Sequence, residues 1–205
     1  MRPRAVQIAV VLAAAVPAAH LGWRAYHGAL GAEPIETLTH ATGGWALRLL
    51  LASLAVTPLR RAFGLAALAP LRRTLGLAAF AYACLHVAVY LFLDWGFDWG
   101  AVLEDVAKRP YVTAGATAFA CLLPLAATST RAAQRRLGGA RWRRLHRLAY
   151  AAAAAAVVHF LWLVKADLRE PLLYAAALAL LLAARLPALR SAARGVAGPS
   201  PLPRS

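Results

Sequence analysis

Residues 74–93 read TLGLAAFAYACLHVAVYLFL, between Arg72-Arg73 on one side and Asp94 on the other. At about 1.5 Å per residue, this uncharged run covers the roughly 30 Å hydrocarbon thickness of a bilayer, so it reads as a transmembrane helix. A membrane strand would need only about ten residues and would alternate apolar with polar side chains. Working outward, stretches of the same kind lie at about 5–23, 41–58, 111–128, 147–164 and 171–186. The expected fold class is therefore all-α, a polytopic membrane bundle of six transmembrane helices within residues 1–190. Residues 191–205 are expected to form a disordered tail. Pro58 and Pro187 are expected to stop helices, Pro110 and Pro171 to sit in first turns, and Gly138-Gly139 to break the chain before the fifth span.

Composition agrees. Hydrophobic residues make up 61% of the 205 and charged ones 15%, against roughly a quarter charged in soluble proteins, and no large soluble domain fits beside six spans. The net charge of +15 suggests a nucleic-acid partner until its distribution is examined. Arg2 and Arg4, then Arg60, Arg61, Arg72 and Arg73, the seven arginines from Arg131 to Arg147, and Arg185, Arg190, Arg194 and Arg204 share alternate loops and tails that hold no acid. All eight acids lie in the other loops, at Glu33, Glu36, Asp94, Asp98, Glu104, Asp105, Asp167 and Glu170. The positive-inside rule then places both termini in the cytoplasm, and the charge reads as topology and anionic-lipid attraction, not nucleic-acid binding. Arg2, Arg4 and the Ala/Val run after them also fit a signal peptide. An uncleaved helix is expected because six spans obey the charge rule without exception.

Chemistry-bearing motifs are sparse. Cys84 and Cys121 lie inside spans and form no ligand or redox motif, and no Cys-x-x-Cys-His, P-loop, dinucleotide fingerprint or nucleophile elbow occurs. His20, His27 and His40 fall at or beyond outer helix ends, where an interfacial imidazole needs no special role. His86 and His159 each lie about 12 residues inside a span entered from the cytoplasmic side, about 18 Å deep, so they share a level. Ionisable residues at that depth mark function by default, and two neutral imidazoles facing across a bundle suit bis-histidine haem iron. The alternative is a pair of polar residues bonded between helices. His146 lies about 19.5 Å below His159 at the cytoplasmic edge, rotated about 220° from it on an ideal helix. The corresponding depth below His86 holds Arg72 and Arg73. The spacing thus offers one full histidine pair and a half-pair. Arg48, a lone charge inside the second span, is a candidate partner for a haem propionate, with snorkelling as the alternative. Tyr82, His86 and Tyr90 share a face, lining either the haem or a helix contact. Ala151–Ala156 leaves room for a porphyrin or for close helix packing.

Thr42-Gly43-Gly44-Trp45-Ala46-Leu47, Val56-Thr57-Pro58-Leu59-Arg60, Arg72-Arg73-Thr74-Leu75-Gly76-Leu77 and Leu85-His86 together resemble the ferric-reductase-like transmembrane family in its MsrQ (YedZ) branch. Lys108-Arg109-Pro110-Tyr111-Val112-Thr113, Leu145-His146-Arg147 and His159-Phe160-Leu161-Trp162 extend the resemblance over about residues 20–190. It implies a bacterial inner-membrane b-type cytochrome with His86, His159 and His146 as haem-iron ligands, and one haem b or two. It also implies respiratory quinones as electron donors, FMN, a cytosolic flavin reductase as another donor, and a periplasmic MsrP-type molybdopterin reductase acting on methionine sulfoxide in proteins. NADPH-oxidase relatives carry two histidines on each of two helices, whereas Arg72 and Arg73 stand at the lower position here. Those relatives also continue into a cytoplasmic flavin and nicotinamide domain for which the residues after the last span leave no length. Electron transfer without bond chemistry on this chain is the expectation. A stand-alone ferric or quinone reductase and a non-redox transporter or assembly protein are the rival classes. Asp94, Asp98, Glu104 and Asp105 are expected to dock a partner.

Overall fold

The computed structural model describes residues 3–185, so the last residue of the sixth expected span, Pro187 and the 191–205 tail lie outside the described residues. These residues form α1 (Pro3–Tyr26), α2 (Pro34–Phe63), α3 (Leu71–Ala88), α4 (Trp99–Lys108), α5 (Pro110–Ala127), α6 (Arg131–Leu145), α7 (Leu148–Leu163) and α8 (Arg169–Ala183). No strand occurs among them. α3 continues without interruption into a π-helical extension, Val89–Asp94. Four helical segments are long and apolar enough to cross a membrane, and a fifth is added if α6 and α7, bent by 43° at their junction, count as one span. α8 has 15 residues, about 22 Å at the helical rise, short of a full hydrocarbon thickness.

Two helix pairs make the frame: α2 lies against α3, and α5 against α7. Their small residues permit close approach, with Ala79, Ala152 and Ala153 completely buried. Within the alanine run, Ala152 and Ala153 are core positions, while Ala151 and Ala154 are exposed. Phe80 of α3 stacks on Phe119 of α5 with ring centres 6.0 Å apart, joining the pairs.

Three expectations are revised. Pro58 does not stop the second span, because α2 runs on to Phe63 and ends at Gly64 in a left-handed cap (φ 66°). A helical proline deprives the carbonyl four residues earlier, here Leu54, of its N–H partner. The Arg185 guanidinium donates to that oxygen, so the helix can continue with its backbone satisfied. α2 also begins at Pro34, seven residues before the apolar window, because Thr39 and Thr42 bond back to the carbonyls of Ile35 and Leu38 at 2.8 and 2.7 Å and so fit the helix despite their polarity. Finally, the segments taken as loops between spans three to five contain helices. α4 is capped by Asp98, whose carboxylate accepts from the Ala101 N–H at 3.0 Å, and α6 by Thr130, which accepts from Ala133 at 3.1 Å. Gly138 (φ 72°) breaks α6 as its sequence suggests.

α1 touches the frame through few side chains, and one hydroxyl dominates. Buried Tyr82 accepts from the Ala18 N–H at 2.9 Å and donates to the Ala14 carbonyl at 2.7 Å. It thereby bridges two partners of α1's own ladder next to Pro17. This residue clamps a helix, the packing alternative for the aromatic stripe. Removing the hydroxyl leaves two backbone groups without that partner, a cost of about 1–3 kcal/mol. Tyr82→Phe should lower the unfolding temperature of detergent-purified protein and speed proteolysis between α1 and α2, and unchanged values for both would refute the clamp.

Candidate functional site

His86 lies near the C-terminal end of α3 and His159 near that of α7, so the two helix pairs each deliver one imidazole to the same level. Their ring centres are 6.1 Å apart and their planes cross at 77°. Each ring is tied to the other helix of its own pair. His86 Nδ1 is 3.0 Å from the Thr39 carbonyl of α2, and His159 Nδ1 is 2.6 Å from the Tyr111 carbonyl of α5. A carbonyl only accepts, so both Nδ1 atoms carry the proton and both Nε2 atoms keep a lone pair. No hydrogen bond among the described residues engages either Nε2. The donor set fits a shared metal: bonds of roughly 2.0–2.1 Å from two imidazoles, with about 1 Å more to each ring centre, place the centres about 6 Å apart. Ligating histidines almost always have the other ring nitrogen engaged in this way.

The remaining candidates are placed elsewhere. His146, at the α6–α7 junction, stacks on Trp142 with ring centres 3.9 Å apart, and its Nε2 lies 3.1 Å from the Thr128 hydroxyl. It stands apart from the pair, and no group of three or more His, Cys, Asp or Glu side chains able to hold a metal ion occurs among the described residues. Arg48 reaches α8: its Nε donates to the Tyr174 hydroxyl at 2.7 Å and its Nη2 to Glu170 at 3.0 Å. Its charge is therefore balanced within the chain, and a propionate would compete with Glu170.

Toward the end of the bundle that holds the acidic residues, Tyr90 donates to buried Asp105 at 2.8 Å. Arg109 pairs with the other oxygen of that carboxylate at 2.8 Å and donates to the Tyr111 hydroxyl at 3.0 Å. Tyr111 is the residue whose carbonyl holds His159, so this network braces the anchor of that imidazole. Thr39, Tyr111 and Asp105 carry no signature of a supporting role in their residue types. Two of them act through backbone oxygens that any residue carries, and the third was grouped with the surface acids.

A family model for the ferric reductase like transmembrane component matches residues 42–165. Proteins of Rhodospirillum rubrum and Xanthomonas campestris pv. campestris, each named protein-methionine-sulfoxide reductase heme-binding subunit MsrQ, are 51% and 49% identical to this chain. The first alignment covers 92% of this chain and 91% of the relative, the second 98% and 96%. The chain belongs to the MsrQ family. An Azospira oryzae protein of the same name is 50% identical over 89% of this chain and 78% of its own length. No solved structure matches the chain. Family membership and the apolar helices together make this a membrane protein, and all three histidines singled out by depth fall within the matched region.

The Arg48–Glu170 pair yields a test particular to this MsrQ-family chain. Glu170→Gln leaves a guanidinium in apolar surroundings without its counter-charge, so it should destabilise more than the double substitution Arg48→Met with Glu170→Gln. Thermal unfolding of the four proteins of that cycle checks it, and additive effects would show that the two side chains do not interact.

Proposed function

We propose that this chain is the haem-b electron-transfer subunit of a methionine sulfoxide reductase system in the bacterial inner membrane. In this reading it carries electrons from respiratory quinones, or from a cytosolic flavin reductase, to a periplasmic MsrP-type molybdopterin reductase that repairs oxidised proteins. One observation carries the reading: His86 and His159 meet at metal-sharing distance with both Nδ1 atoms committed to carbonyls. The names of the relatives support haem as the group held there. Haem supplies one-electron iron chemistry when bound between these imidazoles. The chain's own part is to keep both rings in the Nδ1–H tautomer, fix their separation and surround them with apolar helices.

The reading has six spans over residues 1–190, with both termini and the arginine-rich α6 in the cytoplasm and α4 at the periplasmic surface. The sixth span in this reading is the one that contains α8. FMN belongs to the reading by family likeness, and the arginines of α6 supply charge for its phosphate or for a flavin reductase. His146 sits at that cytoplasmic edge as a ligand to a second haem or as a peripheral group, and Arg48 as a propionate partner in competition with Glu170. On the periplasmic side, Asp98 caps α4 and Asp105 is buried, which leaves Asp94 and Glu104 as the acids best placed to meet a partner.

Both His86→Ala and His159→Ala should abolish the reduced bis-imidazole absorption bands of the purified protein, whereas His146→Ala should keep them. Retention of normal haem by both of the first two variants would refute the ligand assignment. Asp94→Lys with Glu104→Lys should slow quinol-dependent reduction of a periplasmic methionine sulfoxide reductase at low salt by about tenfold or more, an effect that fades as salt screens it. An unchanged rate would move the docking surface elsewhere. No dependence of sulfoxide reduction on this subunit would favour a stand-alone reductase.

A further inference from the structure

The two histidine anchors are built alike. Thr39 precedes Gly43 by one helical turn on α2, and Tyr111 precedes Gly115 by one turn on α5. In each case the first residue's carbonyl takes the imidazole Nδ1–H and the glycine lies against the flank of the same ring. A Cβ at Gly43 would come within 3.0 Å of both Nδ1 and Cε1 of His86, and one at Gly115 within 2.9 Å of Nδ1 and 3.0 Å of Cε1 of His159. Either ring would have to shift to admit the methyl, and a shift strains its bond, since the carbonyl that holds it sits on the same helix one turn away. The carbonyl-to-histidine separations are 47 and 48 residues, so the same device occurs once in each half of the bundle.

We propose that Gly43 and Gly115 are positioning residues: each forms, with the carbonyl of Thr39 or Tyr111, a slot that grips one imidazole by its edge and flank, and the two slots hold the ring planes nearly perpendicular. This rests on the reading of His86 and His159 as the residues that would hold the haem iron. An imidazole turns easily about its bond to a metal, so nothing at the metal itself fixes the 77° between the planes. The slots do. The consequence is electronic. Parallel imidazoles overlap the same iron d orbital and split it from its neighbour, whereas perpendicular imidazoles overlap one orbital each and leave the two nearly degenerate. A ferric low-spin iron held by perpendicular rings would then keep much of its orbital angular momentum. Its low-temperature electron paramagnetic resonance spectrum shows one large, isolated low-field g value in place of a well-resolved rhombic trio. Ligand orientation and the hydrogen bonds at ligand nitrogens also tune reduction potential.

The experiment uses the full-length, haem-loaded protein in detergent, with its ferric spectrum and midpoint potential measured for wild type, Gly43→Ala, Gly115→Ala and Gly44→Ala. Gly44 is the control on the same helix, where a Cβ meets only the Arg48 side chain, at 3.6 Å or more. The wild type should give the single large low-field feature. Gly43→Ala and Gly115→Ala should each move it toward the rhombic pattern and shift the potential, while Gly44→Ala changes neither. Loss of haem from the first two with retention in the third also supports the slots, because α2 then tolerates a methyl one position away but not against the ring. A rhombic trio from the wild type, wild-type spectra and potentials from both slot variants, or equal damage from Gly44→Ala would overturn the proposal. Its failure is separable from that of the ligand assignment, which falls only if His86→Ala and His159→Ala retain the low-spin signal.

Discussion

The bond from each imidazole Nδ1–H to a backbone carbonyl on the neighbouring helix is the constraint on which the rest of this bundle depends. It acts on both sides of the site at once. It fixes the proton on the nitrogen facing away from the partner ring, and it sets how far α3 can slide along α2 and α7 along α5, since a displacement of one residue, about 1.5 Å, would break it. The carbonyl of Thr39 lies 3.0 Å from His86 Nδ1 and also accepts from the Thr42 hydroxyl at 3.2 Å, because a carbonyl oxygen has acceptor capacity beyond its ladder bond. The anchor therefore adds registry without opening the ladder that the bilayer requires.

The same economy governs the other polar groups inside the apolar region. Three of them meet a backbone group, a hydroxyl or an opposite charge: Tyr82 on α1, Arg185 on the carbonyl freed by Pro58, and Arg48 on Glu170 and Tyr174. Ser53 likewise donates to the Arg72 carbonyl at 2.8 Å, binding α2 to the start of α3. In hydrocarbon the alternative to a protein partner is no partner, so these contacts decide which helices lie together even where their individual contribution is small. They also explain how α2 spans 30 residues through a proline and several polar side chains.

Depth along uncharged runs was enough to bring His86 and His159 to one level from the sequence, because helical rise is nearly constant and the charged ends mark both faces. Azimuth and support were not legible in the same way. The groups that aim the rings are carbonyls and missing Cβ atoms, which have no residue-type signature, and Thr39 fell outside the apolar window that defined the second span. Pro58 misled because its consequence depends on Arg185, 127 positions away in sequence. Arg48 reads from the sequence as a haem-propionate partner or a snorkelling charge, and Glu170 as a loop acid; only α8 brings Glu170 beside Arg48 of α2. α4 and α6 were missed as helices because a membrane reading assigns charged stretches to loops.

The position of His146 can be argued from the same physical terms. A second axial pair would need a free imidazole nitrogen at this level and another facing it from α3. Here Nε2 of His146 meets the Thr128 hydroxyl and its ring face meets Trp142, which leaves Nδ1 as its open nitrogen, while α3 begins with Arg72 and Arg73. Those guanidiniums are permanent cations that donate hydrogen bonds and offer no lone pair. The described residues thus converge on one histidine pair toward the end of the bundle that holds the acids, and on a cationic, hydrogen-bonded junction at the other. The arginine-rich α6 and the acidic α4 stand at opposite ends, with the imidazoles toward the acidic one. The two ends therefore differ in charge even though the two histidine anchors are alike.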